Sequence, residues 1–91
     1  MPQQFVLQAI TTKYLSPTDT KGARIKATAS AGSITLSWEY SLNTTENHAV
    51  AAHALANKFG WLESAKLFQG CDHNGNCVFV VVEVSDILHN V

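Results

Sequence analysis

The chain has 91 residues, of which 46% are hydrophobic and 14% charged, and its formal net charge at pH 7 is −1. This composition is typical of a globular protein, which excludes a disordered chain and a broadly cationic nucleic-acid binder. We therefore expect a single domain over residues 1–91, with too little buried volume for a deep active-site pocket.

Three strands are predicted before the helix. The first covers residues 5–15, where apolar and β-branched residues continue without glycine or proline. Turn formers fill residues 16–22, and alternating apolar and polar residues then predict a second strand over residues 23–29. After a turn at Ala31-Gly32, the third strand has one apolar face formed by Ile34, Leu36, Trp38 and Tyr40.

One helix is predicted after these strands. Asn43 and Glu46 have the spacing of a capping box, which predicts a helix that begins at residue 44. The alanine-rich segment 44–59 continues this helix, and Gly60 is suited to end it in a left-handed conformation. The apolar stripe expected to face the sheet consists of Ala51, Ala52, Leu55 and Phe59.

Two further strands are predicted, a short one over residues 65–69 and a longer one over residues 78–84. Because the longer strand is apolar on both faces, we expect it to be buried in the centre of the sheet. The element order βββαββ predicts an α+β fold, with an antiparallel sheet of about five strands and one helix packed on one face. Residues 85–91 are expected to form one terminal turn or to fray.

The segment between these strands contains the residue types with the most reactive side chains. Cys71, Asp72, His73 and Cys77 include ordinary zinc ligands, but no second ligand pair has matching spacing, so no metal site is predicted. A three-residue turn would place the cysteines opposite each other and permit a disulfide. A two-residue turn at Asn74-Gly75 would place them on opposite faces, and the sequence is compatible with both.

No catalytic residue and no cofactor are predicted. A cysteine–histidine pair would be an arbitrary choice among four histidines, and the glycines form neither a P-loop nor a dinucleotide fingerprint. His48 and His53 are expected at the helix surface or shielding its apolar face. The large aromatic residues are expected to pack in the core and not to form a stacking platform for bases. These residues are Trp38, Tyr40, Phe59 and Trp61. We therefore expect a protein that is not an enzyme.

The basic residues form the predicted binding site. Residues 1–38 hold four basic residues and one acidic residue, whereas residues 39–91 hold two basic and six acidic ones. The second strand projects its two basic side chains from one face, and the first strand and the preceding loop extend this patch. A solvated strand face has the same pattern, but phosphates or an acidic protein surface would also fit it. The predicted partner-binding residues are Lys13, Lys21, Arg24 and Lys26.

The expected location is the cytoplasm. The N-terminal Met-Pro-Gln-Gln lacks the features of a secretion signal, and no stretch approaches the roughly 20 apolar residues of a membrane span. No membrane contact is therefore predicted. Two cysteines are too few for a disulfide framework, and a reducing compartment would normally keep them as thiols.

Four segments carry a resemblance to a known family. They are Gln8-Ala9-Ile10-Thr11-Thr12-Lys13-Tyr14, the run from Thr20 to Ala27, Glu46-Asn47-His48, and Phe59-Gly60-Trp61. In these segments the chain is similar to a family of short uncharacterised proteins encoded by proteobacterial phages, prophages and plasmids. The likeness extends up to Trp61, and the cysteine-containing hairpin is not part of it.

The resemblance implies a binding function by analogy. Small proteins of mobile elements that lack an active site often bind host machinery, and they include inhibitors of CRISPR effectors. We therefore expect a phage anti-CRISPR-type protein that binds a host protein complex stoichiometrically in the host cytoplasm, as a monomer or homodimer. The alternative is a small nucleic-acid-binding accessory domain that uses the basic face around residues 21–26. A third is a subunit that self-associates through an open sheet edge.

Overall fold

The fold is an antiparallel sheet with one helix on one face, and a computed structural model describes it over residues 8–63 and 65–83. The element order confirms the predicted βββαββ arrangement and the α+β class. The elements are β1 (Ala9–Leu15), β2 (Arg24–Ala29), β3 (Gly32–Ser37), α1 (Thr44–Lys58), a 3-10 turn (Trp61–Glu63), β4 (Ala65–Cys71) and β5 (Cys77–Glu83).

The five strands have the spatial order β3-β2-β1-β5-β4, and every neighbouring pair is antiparallel. The first three strands form a meander, because an eight-residue loop returns β2 beside β1 and a two-residue turn returns β3 beside β2. The last strand then pairs with the first, with Ile10 opposite Phe79. As predicted, the strand with the longest apolar run therefore lies inside the sheet, while β3 and β4 form its edges.

The core lies between α1 and the sheet face that it covers, which we call the inner face. The helix contributes small residues and one leucine, which confirms the predicted stripe, and the small residues let the helix approach the strands closely. Burial of these side chains stabilises the fold by about 25 cal/mol per Å² of apolar surface. The fully buried residues of this core include Ile10, Ile25, Ala27, Ala51, Ala52, Leu55, Ala56 and Phe79.

Both ends of α1 are capped as predicted. The Asn43 side chain accepts a hydrogen bond from the Glu46 N–H at 2.8 Å, and the Glu46 carboxylate accepts one from the Asn43 N–H at 3.0 Å. At the other end Gly60 has a φ of 72°, a left-handed conformation that favours glycine. Among the described residues no helix is both long and apolar enough to cross a lipid bilayer.

The third strand is shorter than predicted. It ends at Ser37, although the Trp38 N–H still donates to the Ala23 carbonyl at 3.0 Å and the Trp38 side chain packs against the core. Tyr40 is 78% exposed, so its prediction as a core residue is wrong. The reason is a turn, closed by the Leu42 N–H on the Glu39 carbonyl, that reverses the chain before the helix.

The remaining strand limits differ by a few residues. β4 continues two residues past its predicted end, to Cys71, because it pairs with β5 along its whole length. β1 begins at Ala9 and β2 at Arg24. The predictions for residues 5–7, Val84 and residues 85–91 lie outside the described residues.

Candidate functional site

Three of the four predicted basic residues lie on the sheet face opposite α1, which we call the outer face. Lys13 of β1 is directly opposite Lys26 of β2, and Arg24 lies two residues from Lys26 on the same side of its strand. Both lysines are exposed, and the Arg24 Nε donates to the Gly22 carbonyl at 3.2 Å. We call these three residues the basic strip.

The pairing within the basic strip costs stability, because like charges directly opposite each other in a sheet are destabilising. The other outer-face positions of β1, β2 and β3 do not offset this cost, since none of them is acidic. They are Ala9, Thr11, Leu15, Thr28, Ser33, Thr35 and Ser37. This part of the outer face is therefore a positively charged surface bordered by small polar residues.

Lys21 lies in the loop before β2 and is exposed. Its N–H donates to the Thr18 hydroxyl at 3.1 Å, and its carbonyl accepts from the Thr18 N–H at 2.8 Å. Lys21 is thus held by a turn and not by a strand pair. The predicted set of four consequently divides into the basic strip and one loop residue.

An apolar surface adjoins the basic strip on the outer face. Val78 and Val80 of β5 lie opposite Thr11 and Ala9 of β1, and Phe68 of β4 lies opposite Val80 on the other side. Val78 is 43% exposed and Phe68 is 52% exposed. We call the group of Val78, Val80, Val82 and Phe68 the apolar strip. Val80 and Val82 are half-buried. Exposed apolar patches typically mark an interaction site when they are large and contiguous.

This exposure differs from the expectation that β5 is buried on both faces. The inner-face residues Cys77, Phe79 and Val81 are buried, as predicted. On the outer face Val78 is exposed, because α1, the only helix longer than one turn among the described residues, packs on the inner face. An apolar sequence on both faces of β5 therefore does not mean that both faces are buried.

The β4–β5 hairpin takes the three-residue turn. The Asp72 N–H donates to the Asn76 carbonyl at 2.8 Å, Gly75 has a φ of 86°, and the Asp72 carboxylate accepts from the N–H groups of Asn74 and Asn76. This register places the two cysteines directly opposite each other with their Cα atoms 4.0 Å apart, and they form a disulfide.

The sequence left open whether Cys71 and Cys77 are thiols or a disulfide, and the structure contains the disulfide. The Asp72–Asn76 pair fixes the register, and both sulfur atoms then lie on the same side of the hairpin. The disulfide also removes both thiolates from any metal site. Among the described residues, no three histidine, cysteine, aspartate or glutamate side chains are grouped closely enough to hold a metal ion.

Reduction of this disulfide is expected to lower the free energy of unfolding by about 2 kcal/mol, because the bond closes a short loop in the unfolded chain. Urea denaturation with and without a reducing agent measures the change. The double variant Cys71→Ala/Cys77→Ala is the control and should not respond to the reducing agent. Alkylation of two thiols in the untreated, unfolded protein would contradict the prediction.

A second candidate site is an open pocket of about 600 Å³ between the helix start, the end of β1 and the β4–β5 turn. Its lining consists of Lys13, Tyr14, Trp38, Thr44, His48 and residues 74–76. His48 is fully buried, and its Nδ1 lies 2.6 Å from the Thr12 hydroxyl. The Trp38 ring meets the rings of Tyr14 and His48 edge to face, at centroid distances of 5.0 and 6.3 Å. We call this the His48 pocket.

His48 is not at the helix surface, whereas His53 is exposed. The signal in the sequence is spacing, since residue 48 precedes Ala51, Ala52 and Leu55 at helical intervals and extends their stripe by one turn. The Nε2 atom of His48 is buried and has no hydrogen-bond partner in the described structure.

Burial lowers the pKa of His48 below its ordinary value of 6.5. In the unfolded chain the His48 ring therefore takes up a proton near pH 6.5, whereas in the folded protein the same ring takes it up only at lower pH. It follows that the contribution of neutral His48 to stability is complete above pH 6.5 and is lost as the pH falls through the folded-state pKa.

We therefore expect the urea midpoint of the wild type to decrease on acidification from about pH 7.5 to about pH 5.5. The midpoint of His48→Phe should decrease less than that of the wild type. The midpoint of His53→Gln, which alters an exposed histidine of the same helix, should decrease as much as that of the wild type. An equal decrease in all three proteins would show that His48 is not the group responsible.

When the chain is compared with protein-family models, with curated proteins and with solved structures, nothing matches it.

Proposed function

We propose that the protein is a non-catalytic binding protein that acts stoichiometrically on a partner protein through the outer face of its sheet. The observation that carries this proposal is the Lys13–Lys26 pair, two like charges held directly opposite each other on a face whose neighbouring strand positions include no acid. A partner carboxylate placed between these ammonium groups would offset their repulsion.

The apolar strip favours a protein partner over a nucleic acid. It lies on the same face as the basic strip, and β5, which carries Val78 and Val80, pairs directly with β1, which carries Lys13. Protein interfaces combine a desolvated apolar centre with charged residues at the rim. A nucleic-acid surface offers phosphates to the basic strip, but its backbone offers little to pack against Val78 and Phe68.

The partner class follows from the resemblance to proteins of mobile elements. A host defence complex, in particular a CRISPR effector, is the partner to test first. Such complexes bind nucleic acid, and an inhibitor of this kind prevents target binding by covering a surface of the complex. This step is an analogy. It is used only for the identity of the partner, whereas the location of the binding surface is argued from the basic strip and the apolar strip.

The test is a calorimetric titration of the protein into a panel of purified CRISPR effector complexes, combined with an assay of target DNA binding. We expect at least one complex to bind at a fixed molar ratio and to lose target binding at the same ratio. Loss of target binding at a small fraction of that ratio would indicate turnover and would contradict stoichiometric action.

The second candidate function is nucleic-acid binding, which is favoured by the position of Lys13, Arg24 and Lys26 on one face beside serine and threonine side chains. This function requires an affinity for DNA or RNA that falls steeply as the salt concentration rises. The affinity of Lys26→Gln should be lower than that of the wild type by a similar factor for every nucleotide sequence. Gel-shift assays at low salt measure this affinity. The absence of any shift with either nucleic acid would exclude this function.

A further inference from the structure

β3 forms one edge of the sheet, and in the described part of the chain it pairs with β2 alone. Along an antiparallel pair, residues that exchange hydrogen bonds with the opposite strand alternate with residues that do not. The Trp38 N–H donates to the Ala23 carbonyl, which fixes this alternation for β3. The backbone N–H and C=O groups of Ser33, Thr35 and Ser37 therefore point away from β2, and all three residues are exposed.

The edge at β3 lacks the usual protection against pairing with a further strand. Natural sheet edges are commonly protected by lysine, by proline or by a bulge. β3 contains no charged residue and no proline, and it pairs with β2 without interruption from Gly32 to Ser37. The opposite edge, β4, carries Lys66 on its outer face, beside Val82. Of the two edges, β3 is therefore the one suited to accept another strand.

The basic strip lies directly behind this edge on the outer face. Lys26 is opposite Thr35, and Arg24 is opposite Ser37. A residue added opposite Thr35 would be two strand spacings, about 10 Å, from Lys26. Only the short Thr35 side chain lies between them, so the long side chains of a glutamate and of Lys26 can meet above it. The outer-face positions of an added strand therefore favour acidic residues.

The inner face of the same edge favours apolar residues. Ile34 and Leu36 of β3 are half-buried and pack against the core. The inner-face side chains of an added strand would lie beside these two residues. An apolar side chain at those positions would cover the surface that they leave exposed and would extend the core.

We infer that β3 binds an extended acidic segment of a protein as an additional antiparallel strand, with acidic residues on the outer face alternating with apolar residues on the inner face. The inference deepens the proposed function, because it names the kind of segment that the partner supplies. A second copy of β3 does not fit this site. It offers no acid, and antiparallel pairing would bring a second Arg24 and a second Lys26 onto the same face.

The test uses a capped heptapeptide of alternating glutamate and valine, with amide hydrogen exchange measured by NMR. In the free protein the N–H groups of Ser33, Thr35 and Ser37 should exchange faster than those of Ile34 and Leu36, which bond to β2. The peptide should slow the exchange of the first three. The same peptide with lysine in place of glutamate should bind at least about tenfold more weakly.

Methylated peptides distinguish strand pairing from attraction between charges alone. In the antiparallel pairing each glutamate lies opposite an outward-facing residue of β3 and directs its own N–H toward that strand, whereas each valine directs its N–H to solvent. Methylation of the glutamate nitrogens should therefore abolish binding, and methylation of the valine nitrogens should not. Equal affinity of the two methylated peptides, or no change in the exchange of Ser33, Thr35 and Ser37, would overturn the inference.

Two proline variants test the same point on the protein. Thr35→Pro removes an N–H that β2 does not use, and it should weaken peptide binding at least about tenfold. Gln69→Pro makes the matched change on the β4 edge, where the Asp72–Asn76 bond fixes the alternation, and it should bind like the wild type. If Thr35→Pro does not fold, the methylated peptides on the wild type decide.

The peptide experiments need only the free protein, so they separate this inference from the proposed function. Peptide binding at β3 without binding to any effector complex would support the inference and contradict the partner named above. Binding to an effector complex without any peptide effect at β3 would support the proposed function and contradict the inference.

Discussion

Phe79→Ala is expected to lower the free energy of unfolding by about 3–5 kcal/mol, the largest effect of any single change considered for this protein. Among the described residues, Phe79 is the largest fully buried side chain, with 1% of its surface exposed. It lies opposite Ile10 at the centre of the sheet and faces the helix. Its truncation removes apolar contacts and leaves a cavity that the surrounding strands cannot close. Urea or thermal denaturation measures the loss.

Phe68→Ala is the matched control, because it removes the same ring from the neighbouring strand but from the outer face. Phe68 is 52% exposed, so its truncation is expected to cost about 1 kcal/mol or less. The order of effects should reverse for partner binding. Phe68→Ala should weaken it, whereas Phe79→Ala should leave it unchanged under conditions where the variant is folded. A similar loss of stability in both variants would contradict the assignment of the two sheet faces.

Asn47→Ala is expected to produce the second largest loss of stability, about 2–4 kcal/mol. Asn47 is buried, and its side-chain oxygen accepts from the Glu39 N–H at 2.8 Å. Its amide group donates to the carbonyls of Glu39, Leu42 and Asn43, at 2.9, 3.3 and 3.1 Å. One side chain thus stabilises the connection between β3 and α1, and its removal leaves the Glu39 N–H and the Leu42 carbonyl without a hydrogen-bond partner among the described residues.

Asn57→Ala provides the control for this effect. Asn57 lies in the last turns of the same helix and is exposed, and alanine has the higher helix propensity, so this variant should be at least as stable as the wild type. Thermal unfolding of the two variants under identical conditions makes the comparison. If Asn47→Ala were as stable as Asn57→Ala, the connection before the helix would not depend on the Asn47 side chain.

The fold could be predicted from the sequence because its local signals agree with one another. Alternation identified β2 and β3, the Asn43 and Glu46 spacing identified the helix start, and Gly60 identified its end. The error at Tyr40 arose because alternation continues past the point where the strand ends. Only the turn that starts at Glu39, which depends on the buried Asn47 side chain, determines where the chain leaves the sheet.

The candidate sites were less predictable, because they depend on contacts between distant segments. The position of Arg24 and Lys26 on one face follows from strand period, but the pairing of Lys26 with Lys13 depends on register. Burial of His48 requires β1 to pass beneath the first turns of the helix and bring Thr12 to its ring. The cysteines presented a choice between two turns, and the bond between Asp72 and Asn76 decides it.

The measurement that tests the central claim most directly is the affinity of Lys13→Glu/Lys26→Glu for the effector complex identified by titration. Lys58→Glu, which reverses one exposed charge at the far end of the helix, is the control. If the outer face binds the partner, the double variant should remain folded and bind at least about tenfold more weakly, while Lys58→Glu binds like the wild type. Wild-type affinity of the double variant, or the absence of micromolar binding to any complex in the panel, would contradict the account.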